Sequence, residues 1–410
     1  MKIWYVRDLE PVPTDPGNPR LLRAGLLATT LSSLGHETTW YTSTFNHYSR
    51  RQRKAEILRP SENLTIRVLP APGYSRNISV KRVFHNRSFA QAFLTVANAA
   101  QELPDILVAD LPTTDAAAAA VQFAGRRGIP TVITIRDLWP DFFADFVPSA
   151  LSPFAKLATL PLEMQARFAC RHATSLVGIS EQYLEWGREK GGRTSVEHDR
   201  IFPLGYLKPR QLESDEIDKI LGQMGISSDQ HIVSFVGSWG ATYDLSLVLE
   251  AARLLAHRKD VVFALAGNAA ERPDLERSFR KLDNTVLLGW ISQPEVSALL
   301  TRSSIGLLPY AKQAPQGLPN KVYEYLAFGT FQLAILGEEA EHLYRETAAG
   351  LNVPNASPLE LANAIEAVLS DSRLIEAREE RIAIFNTRFD ARKIYRDIAD
   401  HIVKVASKKL

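Results

Sequence analysis

The stretch Ile232-Val-Ser-Phe-Val-Gly-Ser-Trp-Gly-Ala-Thr-Tyr-Asp244 passes from an apolar run through two glycines into a segment where Leu245, Leu249 and Ala252 recur at helical spacing. It reads as a strand, a glycine-rich turn and a helix. A turn of that kind offers bare backbone N–H groups and the positive end of a helix dipole to an anion. The alternation continues outward in both directions. Toward the C-terminus strand-like runs fall at Val261–Ala266, Val286–Leu288, Ile305–Leu308 and Phe331–Ile335, each followed by a helical pattern. Toward the N-terminus they fall at Ile3–Val6, Thr38–Thr42, Ile66–Leu69, Ile106–Ala109, Thr131–Arg136 and Leu176–Ile179. Strands alternating with helix-length segments predict an α/β chain of parallel sheets covered by helices.

A chain of 410 residues exceeds what one hydrophobic core serves, so two sheets are expected. The segment Phe202-Pro-Leu-Gly-Tyr-Leu-Lys-Pro-Arg210 stops regular structure and suits a hinge. It divides the chain into an N-terminal domain, residues 1–205, and a C-terminal domain, residues 206–388. Ile394, Ile398, Ile402 and Val405 make residues 389–410 an amphipathic helix expected to pack back toward the N-terminal domain. Doubly wound domains bind ligands at the C-terminal ends of their strands, so the loops after strands are where chemistry is expected.

Hydrophobic residues at 45% and charged residues at 23% exclude long disorder. The single cysteine, Cys170, excludes an internal disulfide framework, and no Cys and His cluster has the spacing of a zinc site. The start lacks signal-peptide character and no run of about 18 uncharged apolar residues exists, so a cytoplasmic protein is expected. The net charge of +2 hides an asymmetry: residues 1–205 hold 24 Lys and Arg against 19 Asp and Glu. Between Arg50 and Arg87, ten basic residues face only Glu56 and Glu62. Such a run could meet anionic lipid at the inner membrane face or a diphosphate-linked acceptor, against the plain reading of a solvated surface. No nucleic-acid partner is expected.

A second glycine loop, Gln313-Ala-Pro-Gln-Gly-Leu-Pro-Asn320, precedes the helical segment Lys321-Val-Tyr-Glu-Tyr-Leu-Ala-Phe-Gly329. Pro319 is tolerated at a helix start, and Gly317 lets a ligand approach the backbone. Glu324, one turn inside, could accept hydrogen bonds from a ribose diol, or could be a surface glutamate favoured by the helix dipole.

The segment Gly317–Gly329 resembles the donor-binding signature of glycosyltransferase family four, retaining enzymes of the GT-B architecture that include bacterial polysaccharide and lipopolysaccharide transferases. Leu34-Gly-His-Glu-Thr-Thr39, Phe45-Asn-His-Tyr48, Arg136-Asp-Leu-Trp-Pro140, Phe235-Val-Gly237, Ala266-Gly267 and Leu288-Gly-Trp290 agree with it in order. The resemblance implies two Rossmann-like domains facing a central cleft and a nucleotide-diphosphate sugar, UDP-linked, as the donor substrate, with no cofactor. It also implies a glycan or lipid-linked acceptor. Glu324 would bind the ribose, and Gly289, Trp290 and Ile291 would border the base through main-chain contacts. The loop containing Gln316, Gly317, Leu318 and Asn320 would hold the transferred sugar, with Gly237, Ser238 and Gly267 on the donor side.

Two departures from the pattern stand out. Gln316 replaces a glutamate usual eight positions before the ribose-binding residue, and an amide carries no charge to stabilise an oxocarbenium ion. Ser238 and Tyr243 stand where an arginine and a lysine commonly neutralise the leaving diphosphate. With no Asp-x-Asp metal motif, charge compensation falls to a helix terminus or another cation. Lys321 is the preferred one, with Lys312 and Arg272 as further candidates.

In the first half, Thr131–Arg136 ends in charged and aromatic residues. Asp137 could orient or deprotonate an acceptor hydroxyl, with Arg136 pairing to it or to phosphate. Trp139 is a candidate for stacking on a sugar and His47 for contacting the acceptor. The Pro-rich loop from Asp8 to Arg20, with Gly17 near its end, could close over the diphosphate and bring Arg20 as a cation. The resulting expectation is a metal-independent, retaining glycosyltransferase. Its rivals are a non-catalytic nucleotide-sugar-binding subunit and a nucleotide-sugar epimerase.

Overall fold

The computed structural model describes residues 1–17, 19–141, 152–194, 196–312 and 318–407. The chain divides into two compact units, Met1–Pro203 with Arg392–Leu410, and Leu204–Ala391.

Unit 1 runs β1 (Lys2–Val6), α1 (Arg23–Ser33), β2 (Glu37–Ser43), β3 (Phe45–Asn46), β4 (Arg51–Gln52), β5 (Ile57–Ser61), β6 (Leu64–Leu69), α2 (Val80–Asn98), β7 (Ile106–Leu111), α3 (Thr114–Gly125), β8 (Thr131–Ile135), α4 (Ser152–His172), β9 (Ser175–Gly178), α5 (Glu181–Gly191) and β10 (Arg200–Ile201). Its sheet has the order β10-β9-β8-β7-β1-β2-β6-β5. All neighbours are parallel except β5, which pairs antiparallel with β6. The first strand therefore lies centrally and the chain winds outward to both sides. β1, β7 and β8 are almost wholly buried, which is why they read as predominantly apolar runs. Trp4 anchors one face of the sheet against Tyr41 and Phe123, with ring centroids 5.3 and 5.7 Å away.

Unit 2 runs α6 (Ser214–Gln223), β11 (His231–Val236), α7 (Leu245–Leu254), β12 (Val261–Ala266), α8 (Pro273–Phe279), β13 (Thr285–Gly289), α9 (Gln293–Arg302), β14 (Ser303–Pro309), α10 (Asn320–Ala327), β15 (Phe331–Ile335), α11 (Glu338–Thr347), β16 (Gly350–Asn352), α12 (Pro358–Ser370), α13 (Ser372–Glu376) and α14 (Arg378–Arg388). Its sheet, β13-β12-β11-β14-β15-β16, is parallel throughout. Again the first strand is central, and the winding reverses between β11 and β14. Such switch points, one at β1/β7 and one at β11/β14, are where doubly wound sheets open a crevice for ligands.

The chain enters and leaves unit 2 side by side. Tyr206 N donates to Phe389 O, and Ala391 N donates to Tyr206 O, both at 3.0 Å. The last helix, α15 (Ala391–Ser407), then packs within unit 1, where His401 Nε2 lies 2.9 Å from Ser175 Oγ.

Candidate functional site

The switch point of unit 2 gathers most of the residues singled out in its sequence. β11 delivers Gly237 at its end, β12 delivers Gly267 and β13 delivers Gly289. Gly237 N donates to Ala266 O at 2.9 Å and Gly267 N to Gly289 O at 2.6 Å, so the three turns are tied edge to edge. Gly267 has φ +138°, and a Cβ there would run into the Gly237 carbonyl. Glycine at 267 is therefore a requirement of this close backbone approach. Beyond Gly237, the exposed Ser238 leads to α7, whose first turn is capped by the Asp244 carboxylate accepting from Leu247 N at 3.1 Å.

α10 meets this edge from the other side of the switch point. Its apolar face buries Val322, Tyr323, Tyr325 and Leu326, and the Tyr325 hydroxyl accepts from Val236 N at 3.1 Å. That anchoring sets the half-buried Lys321 and Glu324 one turn apart on α10. Lys321 Nζ donates to Val236 O and lies 5.7 Å from the ring centres of Phe235 and Tyr243. The cation thus stands beside Tyr243, at the place where the resemblance lacked a basic residue. Tyr243 is raised above the usual phenol range by burial, and the Glu324 carboxylate adds to that push, so its charge is felt there too.

Next to the glycine turns opens a cavity of about 510 Å³ lined by Trp239, Gly267, Asn268, Arg280, Gly289 and Trp290 among others. Trp290 stands on it 84% exposed, whereas Trp239 is 2% exposed. Trp239 Nε1 is buried and, among the described residues, has no hydrogen-bond partner. Arg280, on the rim, is held by Glu276 at 2.6 Å. Trp239, Asn268 and Arg280 were not singled out from the sequence. Trp239 lies inside the turn quoted first, and its large ring after Gly237 was the available signal. Arg280 arrives from the end of α8 with no local signature. Of the expected sugar-binding loop, Leu318 packs partly buried against the α10 core and Asn320 opens the helix exposed, while Gln316 and Gly317 lie outside the described residues.

In unit 1 the switch point is ionic. Asp110, at the end of β7, accepts from Tyr5 Oη at 2.9 Å, from Arg136 at 3.0 Å and from Thr134. Glu10 accepts from Arg136, from Arg7 at 3.3 Å and from Ala24 N at 2.8 Å, the last capping α1. The two flanking guanidinium groups, Arg136 and Arg7, hold the fully buried Asp110 below the usual carboxylate range against its burial. Arg136 is therefore engaged by Glu10 and Asp110 and fastens strand ends, while its charge also acts on Asp137.

Trp139 is largely covered. It is 7% exposed and the Arg82 guanidinium sits 4.5 Å from its ring centre, so an open stacking platform for a sugar is not formed on that face. Asp137, by contrast, reaches solvent beside these groups, although the surrounding protein raises its carboxyl above the usual range against the pull of Arg136, Arg7 and Arg82. His47 is half-buried, with Nδ1 2.8 Å from Tyr74 Oη, and burial brings its pKa down to about 4. It is a neutral imidazole at ordinary pH. Nearby, the buried His85 lies 3.0 Å from Asp8 Oδ2 and 2.7 Å from Pro72 O. Gly17 (φ +86°) and Arg20 lie exposed on the loop after β1.

Two doubly wound parallel sheets, each with its first strand central, define the GT-B class of fold. Residues 22–205 match the Glycosyl transferase 4-like domain and residues 230–371 match Glycosyl transferases group 1. The chain belongs to the family-four type of glycosyltransferase. It is 24% identical over 264 residues to the alpha-D-kanosaminyltransferase of Streptomyces kanamyceticus, a match spanning 62% of this chain and 65% of the length of that relative. Among solved structures it is similar to Anabaena HepE in complex with UDP, with a TM-score of 0.68 at 16% identity over 98% of this chain and 100% of that one. It is also similar to the sucrose-phosphate synthase of Thermosynechococcus elongatus, with a TM-score of 0.69 at 15% identity over 98% of each chain. At such identities these neighbours establish the fold.

Proposed function

We propose that the chain transfers a sugar, with retention and without a metal, from a nucleotide-diphosphate sugar to a hydroxyl of a glycan or lipid-linked acceptor. The observation that carries this reading is that Gly267 and Gly289 line the cavity of unit 2, while Lys321, with Glu324 one turn on, stands at Gly237 on the edge that Gly237 shares with Gly267. The base enters that cavity along Gly289 and Trp290. Glu324 accepts hydrogen bonds from the ribose diol, and the diphosphate meets the turn at Gly237 and Ser238. Lys321 supplies the cation. An ammonium has three N–H donors, so it can keep the Val236 carbonyl and still reach a phosphate oxygen.

In the transfer itself the bond from the anomeric carbon to the diphosphate breaks as the acceptor oxygen bonds the same face. The acceptor proton passes to the departing phosphate, whose charge Lys321 stabilises. Asp137 orients the acceptor hydroxyl. UDP is the nucleotide favoured, because HepE, a neighbour in fold, is known in complex with it.

The test is a thermal-shift panel of UDP, GDP, ADP, dTDP and CDP on the wild type and Glu324→Ala. A site filled at 100 times its dissociation constant adds about 2.7 kcal/mol to the unit that binds, a shift of several degrees. One nucleotide is expected to shift the wild type and lose its effect in the mutant; no shift with any of them would sink the donor assignment. Slow hydrolysis of the matching nucleotide-sugar separates an enzyme from a non-catalytic binding subunit, which would leave the donor intact.

A further inference from the structure

The unit 1 face formed by α2 and α4 carries large apolar side chains that stand exposed among the described residues. On α2, Val80, Val83 and Phe84 are 72%, 49% and 62% exposed. With Arg87 they follow helical spacing along one side of α2, opposite the buried His85, Phe89 and Phe93. On α4, Leu157, Leu160, Met164 and Phe168 are 68%, 47%, 64% and 37% exposed, again spaced along one side. Part of each stripe lines one groove of about 610 Å³, with Val83 and Arg87 from α2 and Met164 and Phe168 from α4. Its floor is α3, whose Ala118 and Ala119 are too small to fill it. Paired apolar ridges of this size are uncommon on a soluble surface and mark an interaction site.

The charge around them states the partner. From Asn63 to Gln101 the sequence has no Asp or Glu, while Arg76, Lys81 and Arg87 project exposed around the α2 stripe. On α4, Arg171 is exposed beside Phe168, whereas Arg167 is paired with Glu163 at 2.6 Å. The structure also narrows the basic run seen in the sequence. Arg53 is held by Asp15 at 2.7 Å and Arg82 lies over Trp139, so neither belongs to this face. A second copy of the chain is disfavoured, since an isologous contact would press the basic α2 stripe against itself, with Asp115 as the acidic side chain lining the groove. Apolar side chains ringed by Arg and Lys match the acyl boundary and the phosphates of an anionic lipid surface. Among the described residues no helix is long and apolar enough to cross a membrane, so this contact is one that lies on the surface.

We infer that the α2/α4 face of unit 1 seats the protein peripherally on an anionic lipid bilayer, with Val80, Phe84 and Met164 entering the interface and Lys81 and Arg87 meeting lipid phosphates.

The test is flotation of the full chain with phosphatidylglycerol-containing vesicles and with pure phosphatidylcholine vesicles. The wild type is expected to float with the anionic vesicles at low salt, much less at high salt, and not with the neutral ones. Lys81→Gln with Arg87→Gln should weaken that binding roughly thirty-fold, from two charges near the surface. Phe84→Ser with Met164→Ser should weaken it as well. Both pairs are exposed, so their melting temperatures and nucleotide shifts should match the wild type. No flotation of the wild type at low salt, or flotation of both pairs equal to that of the wild type, overturns the inference. So does a dimer in light scattering that the Phe84 and Met164 pair dissolves.

Discussion

The Lys321 ammonium donates to the Val236 carbonyl at the end of β11 and stands 2.7 Å from where a Cβ on Gly237 would begin. A side chain at 237 and the cation at the switch point are therefore mutually exclusive.

Gly237→Ala should push Lys321 aside. The colliding atom is the tip of a flexible side chain, so melting should stay within about 0.5 kcal/mol of the wild type. Affinity for the nucleotide diphosphate should fall about tenfold, the scale of one charge-assisted hydrogen bond. Lys321→Met should lose a similar amount, and the double mutant no more than either single one, which a double-mutant cycle on nucleotide titrations reads directly. Additive losses would mean that Gly237 and Lys321 act separately.

Gly267→Ala should behave differently, because what it meets is backbone. The new Cβ would run into the Gly237 carbonyl, and φ is +138°. Neither can relax without opening the β11/β12 edge. A loss of about 3 kcal/mol or more is expected, seen as a lowered melting temperature or as loss of soluble protein. A variant that melts with the wild type would show that this edge tolerates movement.

Much of this site was legible because its elements speak locally. β11, β12 and β15 are buried on both faces and read as apolar runs, broken by Ser234 in β11 and Gln332 in β15. Glu324 and Lys321 sit at fixed spacing behind Pro319, so one helix start places both. β5 and β16 were missed for physical reasons. β5 is an exposed antiparallel edge containing Pro60, and β16 spans three residues without an apolar run. The partners of Arg136 were hidden in another way, for Glu10 is 126 residues distant and Asp110 is 26. No local pattern records a contact made only when β1, β7 and β8 lie side by side.

Trp290 lies 84% exposed at the cavity, so it contributes little to stability. If Gly289 to Ile291 meet the base through the main chain, Trp290→Phe should change nucleotide affinity by less than about threefold, within the ordinary range for an exposed substitution. The fluorescence change on nucleotide addition should shrink with it to what the buried Trp239, which also lines the cavity, contributes. An undiminished fluorescence change would place the base away from Trp290.

Asp137 should show opposite effects on stability and turnover. Its folded pKa lies above the ordinary carboxylate value, so in the window between the two the folded state binds more protons and stability falls as pH rises. At neutral pH the charge is a cost. Asp137→Asn should therefore melt at or slightly above the wild type while transferase turnover falls about a hundredfold. The acid limb of the wild-type rate profile, with a midpoint above the usual carboxylate range, should vanish in the variant. Turnover unchanged by the substitution would remove Asp137 from the reaction.

The junction of α15 with unit 1 carries a pH dependence of the other sign. Ser175 Oγ donates its one proton to His198 O at 2.6 Å, so toward His401 Nε2 at 2.9 Å it can only accept. His401 is then the neutral Nε2–H form, already satisfied, and a second proton would bring charge into a site where the side chain is 7% exposed. Burial, with Arg200, His198 and Lys404 nearby, lowers its pKa to about 4. The unfolded chain takes up the proton near the ordinary pKa of 6.5. Stability from this residue is thus complete above that value and is lost as pH falls toward 4, by up to about 3 kcal/mol at roughly 1.4 kcal/mol per pH unit. His47, lowered in the same direction, adds to the decline in the same unit. His401→Gln keeps an N–H donor for Ser175 and does not titrate. Between pH 7 and pH 4.5 its melting temperature should fall less than that of the wild type, and equal falls would show that α15 is not held through the neutral imidazole.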